Sequence, residues 1–151
     1  MQFPVVTGTN LQRKSLRLPE AFEGEWNLVF IAFQQWQQRQ VDSWIPLAKQ
    51  LEEGHPELRY YELPTIQDRN RLARTFINEG MRAGIPDPVA RERTITLYLD
   101  KTAFRKALQL SSEDDIHVLL LDRRGQVLWR TEGPFAPAKG DSLIAKVQAR
   151  Q

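Results

Sequence analysis

The chain contains no cysteine. That absence removes disulfides, thiolate nucleophiles and cysteine metal sites together, and it leaves the redox compartment unreadable. Only two histidines occur, His55 and His117, and neither has a second ligand at metal-binding spacing. A structural role is the preferred reading for both. No stretch approaches the roughly 18–20 apolar residues of a membrane span. The opening Met1-Gln2-Phe3-Pro4 lacks a basic region followed by an apolar core, so a soluble chain with no visible export or organelle signal is expected. Missing too are the glycine-rich dinucleotide fingerprint, the phosphate loop, the Gly-x-Ser-x-Gly elbow and His-Glu-x-x-His. Ser15, Ser43, Ser111, Ser112 and Ser142 have no base beside them that the sequence identifies. No catalytic residue, metal or cofactor is therefore assigned.

What is present is ordinary for a globular protein: 151 residues, 41% of them hydrophobic and 26% charged. No repeat, low-complexity segment or linker interrupts the chain, so one domain over residues 1–151 is expected. The net charge is only +2. Clusters such as Arg13, Lys14, Arg17 and Arg123, Arg124, Arg130 could draw an anion or nucleic acid, but solvated loops and strand ends explain them more simply. The acidic run Glu113, Asp114, Asp115 is likewise better read as a solvated loop than as a cation site.

Hydrophobic periodicity sets out the order of elements. Residues 3–24 alternate briefly and carry turn residues at Pro4, Gly8, Pro19 and Gly24, which suits a hairpin or extended arm. WNLVFIAF, residues 26–33, is nearly continuous in apolar character and predicts a central strand buried on both faces. In residues 41–54, Val41, Trp44, Ile45, Ala48 and Leu51 recur at helical spacing, with Pro46 inside and Gly54 at the end. A strand over 58–63 follows. Residues 65–83 predict an amphipathic helix capped by Thr65, with Leu72, Ala73, Phe76, Ile77 and Met81 on its apolar face. A strand over 94–99 leads through Asp100, a candidate cap, into a short helix bearing Phe104, Ala107 and Leu108. The strand 116–122, the turn Arg123-Arg124-Gly125 and the strand 126–131 form a hairpin, and a helix over 140–150 closes the chain. The class is α/β, with a central mixed sheet flanked by helices on both faces.

This order resembles the thioredoxin-like superfamily, in the extended form shared by peroxiredoxins and TlpA-like thiol reductases. The resemblance rests on the lead-in LPEAFEGEWNLVFIAF, the Pro46 helix, the strand ending at Asp100, and the closing strand, D-x-x-G turn, strand and Gly133. In active relatives a Trp-Cys-x-x-Cys motif joins the central strand to the kinked helix. Here the matching segment is Trp36-Gln37-Gln38-Arg39-Gln40, so Gln37 and Gln40 stand, within a residue, where two cysteines would be. Glutamine neither ionises nor attacks, whereas the family site works by lowering a thiol's pKa at a helix N-terminus. The family's cis-proline falls at Ile116, and the threonine of the peroxiredoxin signature is absent. Among cysteine-free relatives the chain is similar to thioredoxin-like assembly factors of the mitochondrial ATP synthase and their bacterial counterparts, through FQQWQQRQVDSW and LLLDRRGQVLWRTEGPF.

The resemblance implies a redox-inert fold that binds another protein in an assembly or chaperone role. The candidate contact surface is Trp36, Gln37, Gln38, Arg39 and Gln40, where active relatives receive a peptide. Trp26, Trp44 and Trp129 are expected in the core; Trp36 is either a contact residue or packing over the sheet end. The alternative is an enzyme or small-ligand binder that reuses the cleft at that end through Arg39, Asp42 and the Ile116 loop. Nucleic-acid binding is disfavoured, and oligomeric state is not legible.

Overall fold

A computed structural model describes residues 1–149. The N-terminal hairpin forms as β1 (Val6–Asn10) and β2 (Ser15–Leu18), and the central strand is β3 (Trp26–Ala32). A single 3-10 turn, Gln35–Gln37, runs into α1 (Gln38–Gly54), and β4 (Leu58–Gln67), α2 (Arg71–Gly84) and the short α3 (Pro88–Arg93) follow. The chain then gives β5 (Ile95–Leu99), α4 (Lys101–Leu108), β6 (His117–Asp122), β7 (Val127–Glu132) and α5 (Pro137–Gln148). Arg150, the last residue of the closing helix expected over 140–150, lies outside the described residues.

The strands form one mixed sheet in the order β2-β1-β5-β4-β3-β6-β7. β3 pairs in parallel with β4, and β4 with β5, while β6 and β7 add in antiparallel sense on the other side of β3. Both faces of β3 are covered, which explains its continuous apolar sequence. Leu28 and Phe30 pack with Val41, Trp44, Leu143 and Val147 of α1 and α5. Val29 and Ile31 face the opposite layer, with Phe104 and Leu108 of α4 and with Phe3 and Phe22 from the N-terminal arm. Each such side chain contributes about 1.5–3 kcal/mol on burial. Trp44 is fully buried and donates its indole N–H to the Gly133 carbonyl at 3.0 Å.

Turn chemistry closes the hairpin as the D-x-x-G pattern requires. Asp122 Oδ1 accepts from the backbone N–H groups of Arg124 and Gln126, both at 2.9 Å, and Gly125 takes φ +85°, a left-handed conformation that glycine adopts without steric cost. Asp100 caps α4 by accepting from Thr102 and Ala103.

The segment after β4 departs from expectation. Thr65 does not cap a helix: it lies in β4, which runs four residues past 63, and is paired with Leu97. The reason is pairing, since Thr65, Ile66 and Gln67 find ladder partners on β5 and two of the three are β-branched. The helix starts instead at Arg71, where Asn70 accepts from Ala73 N–H at 2.9 Å. Its expected apolar face is split: Leu72 and Phe76 are exposed, Ala73, Ile77 and Met81 are half-buried, and the buried side chain is Asn78.

Candidate functional site

The parallel strands β3, β4 and β5 all end on one side of the sheet, and the chain leaves β3 there into the turn at residues 33–37. The loop before β6 meets it, because β6 runs antiparallel to β3 and pairs His117 with Ile31. The sheet end thus brings together the two segments that the sequence singled out, Trp36–Gln40 and the approach to Ile116.

Two glutamines hold these segments to each other. Gln37 has no exposed surface. Its Oε1 accepts from the backbone N–H of Phe33 at 2.8 Å and of Gln34 at 3.2 Å, and its Nε2 donates to the Glu113 carbonyl at 2.5 Å. Gln40 repeats the device one turn along α1: its Oε1 accepts from Ile116 N–H at 2.9 Å, and its Nε2 donates to Asp115 Oδ1 at 2.7 Å. An amide carries both an acceptor and donors, so each side chain satisfies groups on both partners that no aliphatic residue of that size could satisfy. This corrects the expectation for Gln37, which was placed on a contact surface. It points into the protein because the Phe33 N–H, beyond the end of β3, needs an acceptor once buried.

Around this pair lies a second polar layer that sequence inspection missed. Lys101 Nζ sits 2.8 Å from Glu113 Oε1 and donates to the Phe33 carbonyl at 3.0 Å, while Arg105 Nε lies 3.3 Å from Glu113 Oε2. Gln34 adds a bond to Glu113 Oε1 at 3.2 Å. The acidic run is therefore not simply a solvated loop: Glu113 anchors α4 to the turn, Asp115 holds Gln40, and only Asp114 is exposed. The signal available was an acidic residue opposite Lys101 and Arg105, but their sequence separation hid it. His117 is buried beside the ring of Phe33, and its Nε2 donates to the Ser112 carbonyl at 2.8 Å.

On the α1 flank, Gln38 Nε2 donates to Asp42 Oδ1 at 2.9 Å and to Glu62 Oε1 at 3.0 Å. Burial pushes the Glu62 carboxyl above its usual range, and the bond from Gln38 offsets this only in part. Asp42 and the Ile116 loop, named for the ligand-binding alternative, are thus already engaged within the chain. Gln34, Gln35, Trp36, Gln38 and Arg39 are exposed; of these, Trp36 is the large apolar side chain, at 50%, and Arg39 has no side-chain partner among the described residues. The Asp115–Ile116 peptide is not cis; the cis bond among the described residues is Leu18–Pro19. No group of three or more histidine, aspartate or glutamate residues among those described could hold a metal ion, and no described helix is long and apolar enough to cross a membrane.

Solved structures share this architecture. One is a putative thiol:disulfide interchange protein DsbE from Chlorobium tepidum, with TM-score 0.58 and 16% identity, covering 98% of this chain and 94% of that one. Another is BsSco, a member of the Sco family of cytochrome c oxidase assembly proteins, with TM-score 0.59 and 14% identity over 98% and 92% of the two chains. A third is Arabidopsis thaliana ScoI with copper bound, with TM-score 0.66 and 7% identity over 99% of each chain. At such identities the likeness establishes the thioredoxin-like fold and nothing further. No curated protein matches the sequence. The sequence model of the ATP10 protein family matches residues 1–149.

Proposed function

The chain belongs to the ATP10 protein family, and from that premise we propose that it is a redox-inert assembly factor, a thioredoxin-like protein that holds another polypeptide rather than exchanging electrons with it. The observation that carries this reading is the use made of Gln37 and Gln40. Where the fold's reactive relatives are expected to keep two thiols free to react, both side chains here are spent on internal hydrogen bonds, one of them fully buried. A turn fixed in this way offers no thiol chemistry at Gln37 or Gln40, but it is a rigid platform under Trp36 and Arg39.

Those two residues are the contact surface of the proposal. Tryptophan and arginine are both enriched among the residues that carry most of the binding energy at protein interfaces. The ligand-binding alternative is supported less, since Asp42, Asp115 and the Ile116 N–H are already satisfied. The test is capture of partners from native extract by the tagged chain, with Trp36→Ala and Arg39→Ala variants that retain the wild-type circular dichroism. A specific partner whose recovery falls in both variants supports the proposal; no partner, or one indifferent to both changes, overturns it. Disulfide-reductase and peroxidase assays are expected to be blank throughout.

A further inference from the structure

Helix α2 is amphipathic in the wrong sense for a monomer. Its inward side is polar: Tyr98 Oη donates to Asn78 Oδ1 at 2.8 Å and Arg82 donates to the Leu11 carbonyl at 2.9 Å. Its outward side carries Leu72 and Phe76, one turn apart and 81% and 80% exposed. One turn further on is Gly80, exposed and with open space where a Cβ would stand, so no side chain covers the helix there. Val89 of α3 is also exposed. A helix ordinarily turns such residues to the core, and large exposed apolar groups in a row mark a surface that something else covers.

The charges beside the stripe say what that is. The nearby carboxylates are consumed, Asp68 by Arg74 and Glu79 by a forked contact from Arg13. Arg69 and Arg71, at the start of α2, are exposed and have no side-chain partner among the described residues. Arg71 also borders a cleft of about 400 Å³ between α2 and the strands β1 and β5, lined in addition by Arg74, Thr75, Asn78 and Tyr98. The uncompensated charge is positive and lies at one end of a short apolar stripe. That arrangement suits a discrete acidic segment better than a lipid surface, because an interfacial helix needs cations along its length and a longer apolar face.

We infer that the outer face of α2 is a second docking surface, and that it takes an acidic amphipathic polypeptide segment, with apolar residues over Leu72 and Phe76 and carboxylates against Arg69 and Arg71. The inference rests on the assembly-factor reading but uses residues remote in sequence from Trp36 and Arg39, so the two can fail separately. The probe is a library of random dodecapeptides selected on the full chain and depleted on the Leu72→Ser/Phe76→Ser double variant. Both positions are exposed, so the variant is expected to keep its fold, checked by circular dichroism. Enriched peptides should carry two apolar residues at helical spacing and a net negative charge. Their affinity should fall about 10-fold with Phe76→Ser. It should fall about 3-fold with Arg71→Glu, a loss that exchanging the peptide's acidic residues for lysine reverses. Three results overturn the inference: no peptide that distinguishes wild type from the double variant, a neutral or basic consensus, or affinities unmoved by both single changes. So does either competing occupant, seen as loss in the double variant of binding to phosphatidylserine vesicles or of self-association in sedimentation.

Discussion

Replacing Gln37 by alanine removes one side chain and leaves three polar groups to find new partners. The Phe33 N–H is buried; the Gln34 N–H and the Glu113 carbonyl are partly buried. An unsatisfied buried group costs about 1–3 kcal/mol. Water entering the vacated space can serve the two partly buried groups, so the expected loss is about 2–4 kcal/mol rather than the sum of three full penalties. That is a large part of the roughly 5–15 kcal/mol that stabilises a typical domain. For a chain of this size it lowers Tm by about 4–16 °C. Urea unfolding followed by tryptophan fluorescence, with an unchanged slope, measures it directly. Gln37→Glu sharpens the test: protonated glutamic acid can donate to the Glu113 carbonyl as the amide does, whereas the carboxylate cannot, so this variant should recover stability relative to wild type as pH falls. A Gln37→Ala loss below about 0.5 kcal/mol, the level of an ordinary surface change, would refute the claim that this glutamine is a structural tie.

Three further outcomes are expected. Glu62→Gln should raise the urea midpoint at neutral pH: burial lifts the folded carboxyl above its ordinary 4.5, so stability present below the unfolded value is lost in the wild type as pH rises through the folded one, and the variant should lack that loss. Arg93→Ala should cost about 1–3 kcal/mol at neutral pH, because it breaks a fork of two 2.9 Å bonds to Glu52 and a stack 3.9 Å over the Tyr60 ring. Burial works against ionised Glu52, but the Arg93 fork and the Tyr60 N–H outweigh it and hold the carboxyl below its usual range, so the cost should shrink as pH falls through that range, seen in thermal melts at stepped pH. Asp100→Ala should cost about 1 kcal/mol through loss of the α4 cap, read from the shift in urea midpoint.

The strands were legible where both faces are buried or where a turn has strict chemistry. WNLVFIA and HVLLLD read as buried strands, and Asp122 with Gly125 marks the turn that brings β7 back against HVLLLD. The segment after β4 was not legible, because an apolar stripe at helical spacing normally points inward and here Leu72 and Phe76 point out. Nothing local separates the two cases; only Tyr98 and Thr9, distant in sequence, give Asn78 its inward partners. The candidate site was half legible. Its location followed from the order of elements, and Trp36 and Arg39 lie outward as a contact surface requires. That Gln37 and Gln40 turn inward depends on Glu113, Asp115 and Ile116, more than seventy residues away, and a sequence does not show which amide meets which backbone.

The most direct test of this account is backbone amide exchange, by NMR, at Phe33, Gln34 and Ile116 in the wild type and in the Gln37→Ala and Gln40→Ala variants. If glutamines lock the turn that follows β3, all three amides exchange slowly in the wild type. Gln37→Ala then releases Phe33 and Gln34 but not Ile116, and Gln40→Ala does the reverse. Fast exchange at these amides in the wild type, or protection that neither substitution changes, would contradict it.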